Sequence, residues 1–254
     1  MISIRIIPIL LLKDEGLVKT VCFKNPNYIG DPINAVRIFN EKEVDEIVLL
    51  DIAASKENRE PKYEWIKDIV SESFMPLAYG GGIKNLEQIK KLFDIGIEKI
   101  IINSSIFNFD LITQASNIFG NQSIVASIDV KKNLWGNYQI FTQSGSIKHN
   151  TTLESLTKKI VDAGVGEIII QSISHEGTMK GFDLELIKEV ASLVNVPVVA
   201  SGGAGSLNDF KEAIEIGGAS AVAAGSLFIY KGIHKAVLIN YPDSGKLKNT
   251  FNND

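Results

Sequence analysis

Eight short runs dominated by isoleucine, valine and leucine recur along the chain, at 6–12, 46–50, 75–79, 99–103, 123–130, 167–171, 196–201 and 219–224. Each is continuous rather than alternating with polar residues, the pattern of parallel strands buried on both faces. The intervening segments carry helical period, as in Leu86-Glu-Gln-Ile-Lys-Lys-Leu-Phe and Leu207-Asn-Asp-Phe-Lys-Glu-Ala-Ile. Eight strand–helix units predict a single (βα)8 TIM barrel. The length of 254 residues suits that fold, which needs roughly 250.

The two halves of the chain repeat. Pro76-Leu-Ala-Tyr-Gly-Gly-Gly matches Pro197-Val-Val-Ala-Ser-Gly-Gly with a one-residue slip, and Asp45-Glu-Ile-Val-Leu-Leu resembles Gly166-Glu-Ile-Ile-Ile-Gln. Chance likeness between generic strands is a weak explanation, because glycine pairs and serines recur in nearly the same register. We read residues 1–245 as one barrel domain built from half-barrels at about 1–120 and 121–245. Residues 246–254 read as a mostly polar tail of a kind often disordered. Under the duplication Leu10-Leu11-Leu12-Lys13 lies over Ile128-Asp129-Val130-Lys131, so Leu11 is the counterpart of Asp129. Both stand at the C-terminal end of a strand, where barrel enzymes place their chemistry.

Composition narrows the function. A net charge of −4 with no basic block argues against nucleic acid. Cys22 is the only cysteine, which excludes an internal disulfide and suits a reducing compartment. The run at 6–12 is too short to span a membrane and is followed by Lys13, Asp14 and Glu15 without a cleavage site, so it reads as a buried strand. We expect a cytoplasmic protein without membrane insertion. His149, His175 and His234 show no metal-ligand spacing, and no Walker loop, nucleophile elbow or dinucleotide fingerprint is present. No metal and no cofactor are expected. Trp65 and the other aromatic residues read as packing.

Three groups of residues carry chemistry. Gly80-Gly81-Gly82 follows the third strand and Gly202-Gly203-Ala204-Gly205 the seventh, each ahead of a helix. Asn103-Ser104-Ser105 and Gly225-Ser226 follow the fourth and eighth. Each glycine loop beside a hydroxyl loop could hold a phosphate, the glycines bringing backbone N–H groups close to the anion. The alternative is that the glycines only permit tight turns; two such pairs related by the repeat favour a phosphorylated ligand. Asp129 could act as general acid or base if its pKa is raised, or could merely shape its loop. Arg5, Glu46, Lys99 and Glu167 stand at the starts of strands one, two, four and six, at the bottom of the barrel. They could form a stabilising ring of salt bridges or a gate over an axial passage.

These residues, with Arg5-Ile-Ile, Lys13-Asp14, Val18-Lys19, Gly30-Asp31-Pro32, Leu50-Asp51-Ile52, Ser172-Ile173 and Gly177-Thr178, resemble the HisF family. That family is the cyclase subunit of imidazole glycerol phosphate synthase. The likeness runs to about Tyr230. It implies a glutaminase partner docked on the bottom face and ammonia passing up the barrel, with Arg5, Glu46, Lys99 and Glu167 as its gate. It also implies that Lys19, Asp51, Ser172 and Gly177 join Gly81, Gly82, Asn103, Ser104, Gly202, Gly203, Gly225 and Ser226 in binding the phosphorylated ligand.

The departures are as telling. The family's chemistry uses two aspartates; Asp129 matches one, while Leu11 replaces the other. Ser174 and Glu176 stand where the family usually has aspartates, and the segment from Lys231 replaces the ordinary last helix. That ending and the leucine-rich first strand resemble HisF-like proteins associated with surface-sugar amidation, which are encoded with a glutaminase partner and an N-acetyl sugar amidotransferase. Two other readings stand beside this one: a true cyclase of histidine biosynthesis that tolerates Leu11, and a non-catalytic activator of the glutaminase.

Overall fold

The computed structural model describes residues 4–232 and 234–252. Eight parallel strands close a barrel in the order β1 (Arg5–Lys13), β4 (Ile47–Asp51), β5 (Leu77–Gly80), β6 (Lys99–Ile102), β7 (Ile124–Lys132), β10 (Glu167–Ser172), β11 (Val198–Ser201) and β12 (Ala221–Ala224). Closure is direct, with Arg5 of β1 in register with Ala221 of β12. The predicted TIM barrel is the observed fold.

Helices α1 (Pro32–Glu41), α2 (Tyr63–Ser71), α3 (Leu86–Asp94), α4 (Phe109–Phe119), α5 (Leu153–Asp162), α6 (Leu184–Leu193) and α7 (Leu207–Glu215) alternate with the strands, and a short α8 (Ser226–Ile229) follows β12. Their starts are fixed locally. Asp31, Asn85, Asn108, Thr152, Asp183 and Ser206 each accept a hydrogen bond from a first-turn backbone N–H. Every second strand residue faces the helices, and those residues form the outer core with Phe39, Tyr79, Phe210 and Phe228. The inward set, including Ile7, Ile9, Leu11, Val48, Ile101, Val125, Ile169 and Val199, lines the barrel axis with apolar side chains.

Two features went unread in the sequence. β1 is followed by a hairpin, β2 (Gly16–Val21) with β3 (Lys24–Gly30), and β7 by a matching one, β8 (Tyr138–Thr142) with β9 (Ile147–His149). The corresponding strand of each half thus carries a ribbon over the barrel mouth. Leu11 pairs with Leu50 on the next barrel strand and Val18 on its own hairpin; Asp129 pairs with Gln171 and Phe141 in the same two senses.

The C-terminal reading needs correction. After β12 the chain forms a small hairpin, β13 (Tyr230–Lys231) with β14 (Ala236–Val237), and then helix α9 (Ser244–Asn252). Most of the expected tail is therefore helical. Leu247 and Phe251, four residues apart, lie on one helix face and pack on the core. Asp243 accepts from the Lys246 backbone N–H at its start. Only those two apolar residues in the nine of α9 carry the helix, which is why it looks polar in sequence. Residues 253–254 lie outside the described residues. Among the described residues no helix is long and apolar enough to cross a membrane.

Candidate functional site

At the strand starts, Arg5, Glu46, Lys99 and Glu167 meet in a closed ring. Arg5 bonds Glu46 at 2.9 Å and also Glu167; Lys99 bonds Glu46 at 2.7 Å and Glu167 at 3.0 Å. Each carboxylate sits between two cations, and both are buried. Burial pulls the Arg5 pKa down, but hydrogen bonding and charge from Glu167 and Glu46 outweigh it and leave the value raised. The four predicted residues thus form one alternating, charge-balanced constriction below the apolar axis.

The mouth holds a cavity of about 320 Å³. Its walls differ in character. Ile9, Leu11, Leu50 and Ile52 line it from β1, β4 and the segment just after β4, while Ser127, Asp129, Gln171 and Ser201 line it from β7, β10 and β11. Inward-facing polar residues of these last strands were missed in the sequence except for Asp129. Period-two alternation through Ser127–Asp129 and Ile169–Gln171 is the signal that marks them.

Asp129 is buried, and desolvation pushes its carboxyl up to about 7 despite an opposing hydrogen bond from Asn103. It can therefore gain or lose a proton near neutrality. The same shift penalises folding. The ordinary value is 3.8, so the folded chain holds a proton between that pH and about 7 that the unfolded chain has released. Stability contributed at this position falls as pH rises through that window and is level above it. Asp129→Asn is expected to melt at the same temperature as the parent near pH 4. It should be more stable by about 2–3 kcal/mol at pH 8, less than three full pKa units imply because the cavity is open to water. Equal melting temperatures at both pH values would contradict a buried, unpaired carboxyl.

Lys19, on β2, is buried with its ammonium beside the loop after β12. A β carbon at Gly225 would lie 2.0 Å from Lys19 Nζ, so a side chain there would push the ammonium from its place. Desolvation lowers the Lys19 pKa, and the charge of Glu176 partly offsets this. Gly202, Gly203, Gly225 and Ser226 line the cavity on this side, and Gly81, Gly82, Asn103 and Ser104 line it on the other. The structure therefore brings both predicted glycine–hydroxyl pairs to one cavity.

Asp51 and Ser172 each have a side-chain partner within the protein. Asp51 lines the cavity, but it accepts from the Ala53 and Ala54 backbone N–H groups and pairs with Arg59 at 2.8 Å. Ser172 lies behind the wall, with Oγ 2.8 Å from His175 Nδ1. Gly177 lines the cavity, pressed against the carbonyl of Thr20. Next to it, Glu176 fastens the β2–β3 hairpin over the mouth. Its carboxylate accepts from Thr20 Oγ1 at 2.9 Å and from the Phe23 N–H at 3.0 Å, and its carbonyl accepts from the Cys22 N–H at 2.9 Å. Cys22 and Phe23 take positive φ in that turn, at 52° and 61°, a conformation that needs support from outside.

Residues 5–235 match the family model described as histidine biosynthesis protein. The chain is 52% identical over 248 residues to a Pseudomonas aeruginosa protein with the provisional name imidazole glycerol phosphate synthase subunit hisF2, covering 97% of this chain and 99% of that one.

The chain belongs to the HisF family.

A Vibrio vulnificus protein provisionally named imidazole glycerol phosphate synthase subunit hisF3 is 46% identical over 250 residues, 98% of this chain and 96% of its own. Identity to the Alkaliphilus metalliredigens imidazole glycerol phosphate synthase subunit HisF is lower, 39% over 234 residues, 92% of this chain and 93% of that one.

Proposed function

We propose that this HisF-family protein conducts ammonia from a glutaminase subunit at the strand starts to the barrel mouth. There it serves amidation of a surface-polysaccharide sugar, converting an acetamido to an acetamidino group, and does not close an imidazole ring. The observation that carries this reading is the pairing of a complete charged ring with a leucine at position 11. The passage keeps its entrance, while one of the two mouth positions that would move protons holds a hydrocarbon. An N-acetyl sugar amidotransferase would take up the ammonia, and Asp129, Lys19 and the two glycine–hydroxyl pairs would hold a phosphorylated ligand.

Expression in a histidine-requiring strain that lacks its own cyclase subunit tests the proposal. No growth without histidine is expected, and restored growth would sink it.

The glutaminase is assigned to the bottom face, where Phe74, just ahead of β5, is 91% exposed. Ile118, Leu193 and Ile216, at or just beyond helix ends that point the same way, are exposed too. An exposed aromatic is the usual kind of interface anchor. Phe74→Ala is expected to weaken glutaminase binding about 30-fold, roughly 2 kcal/mol, in a calorimetric titration. An unchanged affinity would place the partner elsewhere.

A further inference from the structure

Trp135, read in sequence as a packing residue, is 86% exposed, and Leu134 beside it is fully exposed. They form the tip of the β7–β8 ribbon, which rises from the mouth end of the barrel. The tip is built, not loose. Asn133 Oδ1 accepts from the backbone N–H of Trp135 at 2.9 Å and of Asn137 at 3.0 Å, and Gly136 turns the chain at φ 81°. The base is fastened to the start of α6. Tyr138 Oη donates to Asp183 at 2.8 Å, Lys132 bonds Glu185 at 2.8 Å, and the Lys132 ammonium lies over the Tyr138 ring. Two large apolar side chains are thus held out in water on a hydrogen-bonded support.

Within the ribbon itself the charge is one-sided, and the acids of α6 that reach it, Asp183 and Glu185, are held by Lys132 and Tyr138 at its base. Residues 130–152 contain three lysines and no aspartate, glutamate or arginine, in a chain whose net charge is −4. The register places Lys131 opposite Gln139, and Lys148 opposite Phe141, which itself pairs with Asp129. Lys131 and Lys148 therefore share the ribbon face that carries Asp129 toward the mouth. Both are exposed, and Ile147 beside Lys148 is exposed as well.

We infer that this ribbon docks the barrel mouth on an anionic lipid surface, with Leu134 and Trp135 seated among the headgroups and Lys131 and Lys148 against their charge. Tryptophan favours the membrane interface, and lysines near an anionic leaflet attract it. Protein–protein interfaces are depleted in lysine and enriched in arginine, the reverse of what this ribbon presents. Docking by a hairpin tip needs no spanning helix. Two apolar anchors and two free lysines make the attachment weak and reversible. The inference does not rest on the proposed function.

The test is sedimentation of the full chain with phosphatidylcholine vesicles, with and without phosphatidylglycerol, at low salt. Binding to the anionic vesicles is expected to be at least about tenfold tighter than to neutral ones. It should fall about tenfold or more in Leu134→Ser/Trp135→Ser, and also in Lys131→Glu/Lys148→Glu. Both pairs are exposed, so circular dichroism of either variant should match the parent. Trp65 is partly buried against the core, so in a Trp65→Phe protein the emission of Trp135 reads the tip alone and should shift to the blue on the anionic vesicles. No sedimentation with anionic vesicles overturns the inference, as it would if the patch served an acidic protein. Sedimentation that the Leu134/Trp135 variant leaves intact overturns it too, because another surface is then responsible.

Discussion

Leu11→Asp is expected to raise turnover of the HisF family's ribulosyl substrate with ammonium salt by about 10²–10⁴-fold over the parent protein. A properly placed general acid or base contributes that much, equivalent to roughly 3–5 kcal/mol of barrier. Leu11 and Asp129 occupy matching positions on β1 and β7, so an aspartate at 11 restores a carboxylate across the mouth from Asp129. The new group would enter an apolar wall of Ile9, Leu50 and Ile52. Its own pKa should rise, and the variant should be less stable than the parent above neutral pH. Ammonium-driven product formation, followed spectroscopically, decides the matter. Parent turnover already equal to that of the variant would show that the leucine is no obstacle and would favour the cyclase reading.

The second large effect is expected at the charged ring. Glu167→Gln should lower unfolding free energy by about 3 kcal/mol in urea, because Arg5 and Lys99 are left sharing the single carboxylate of Glu46. Neutralising a cation as well should recover much of the loss. Lys99→Met/Glu167→Leu is expected to show a coupling energy of at least about 1.5 kcal/mol against the two single variants. Additive losses would mean that the ring is too well solvated to act as a unit. With the glutaminase bound, Glu167→Gln should also release more ammonia to bulk solvent per glutamate formed. A coupled dehydrogenase assay reads that ratio.

How much the sequence reveals depends on whether a residue's role is local. The eight barrel strands are visible because each is a nearly continuous apolar run, broken on the inner face mainly by Ser127, Asp129, Gln171 and Ser201. The ring is visible because Arg5, Lys99 and Glu167 are charged residues opening such runs, with Glu46 just ahead of β4; that they touch follows from closure of the barrel. For Asp51 and Ser172 the sequence does not show the partners, Arg59 and His175, that chain geometry supplies to their side chains. Trp135 misleads. An aromatic residue ordinarily finds a core, but Asn133 and Gly136 turn this one outward. Helix α9 was obscured because two apolar residues suffice when the surface they cover is already formed.

Tyr241 gives the architecture a temporal dimension. Its hydroxyl donates to the carbonyl of Ile6 at 3.0 Å, and its ring continues an aromatic row through Phe228, Phe210 and Phe182. The last helix-bearing stretch of the polypeptide therefore secures the first strand, across 235 residues of sequence. During synthesis β1 can pair with β4 early, but its other edge must wait for β12, and the fastening by Tyr241 comes later still. A nascent barrel of this kind spends most of its translation with an open apolar seam. The ribosome-bound chain, more than the finished protein, is where protection from aggregation is most needed.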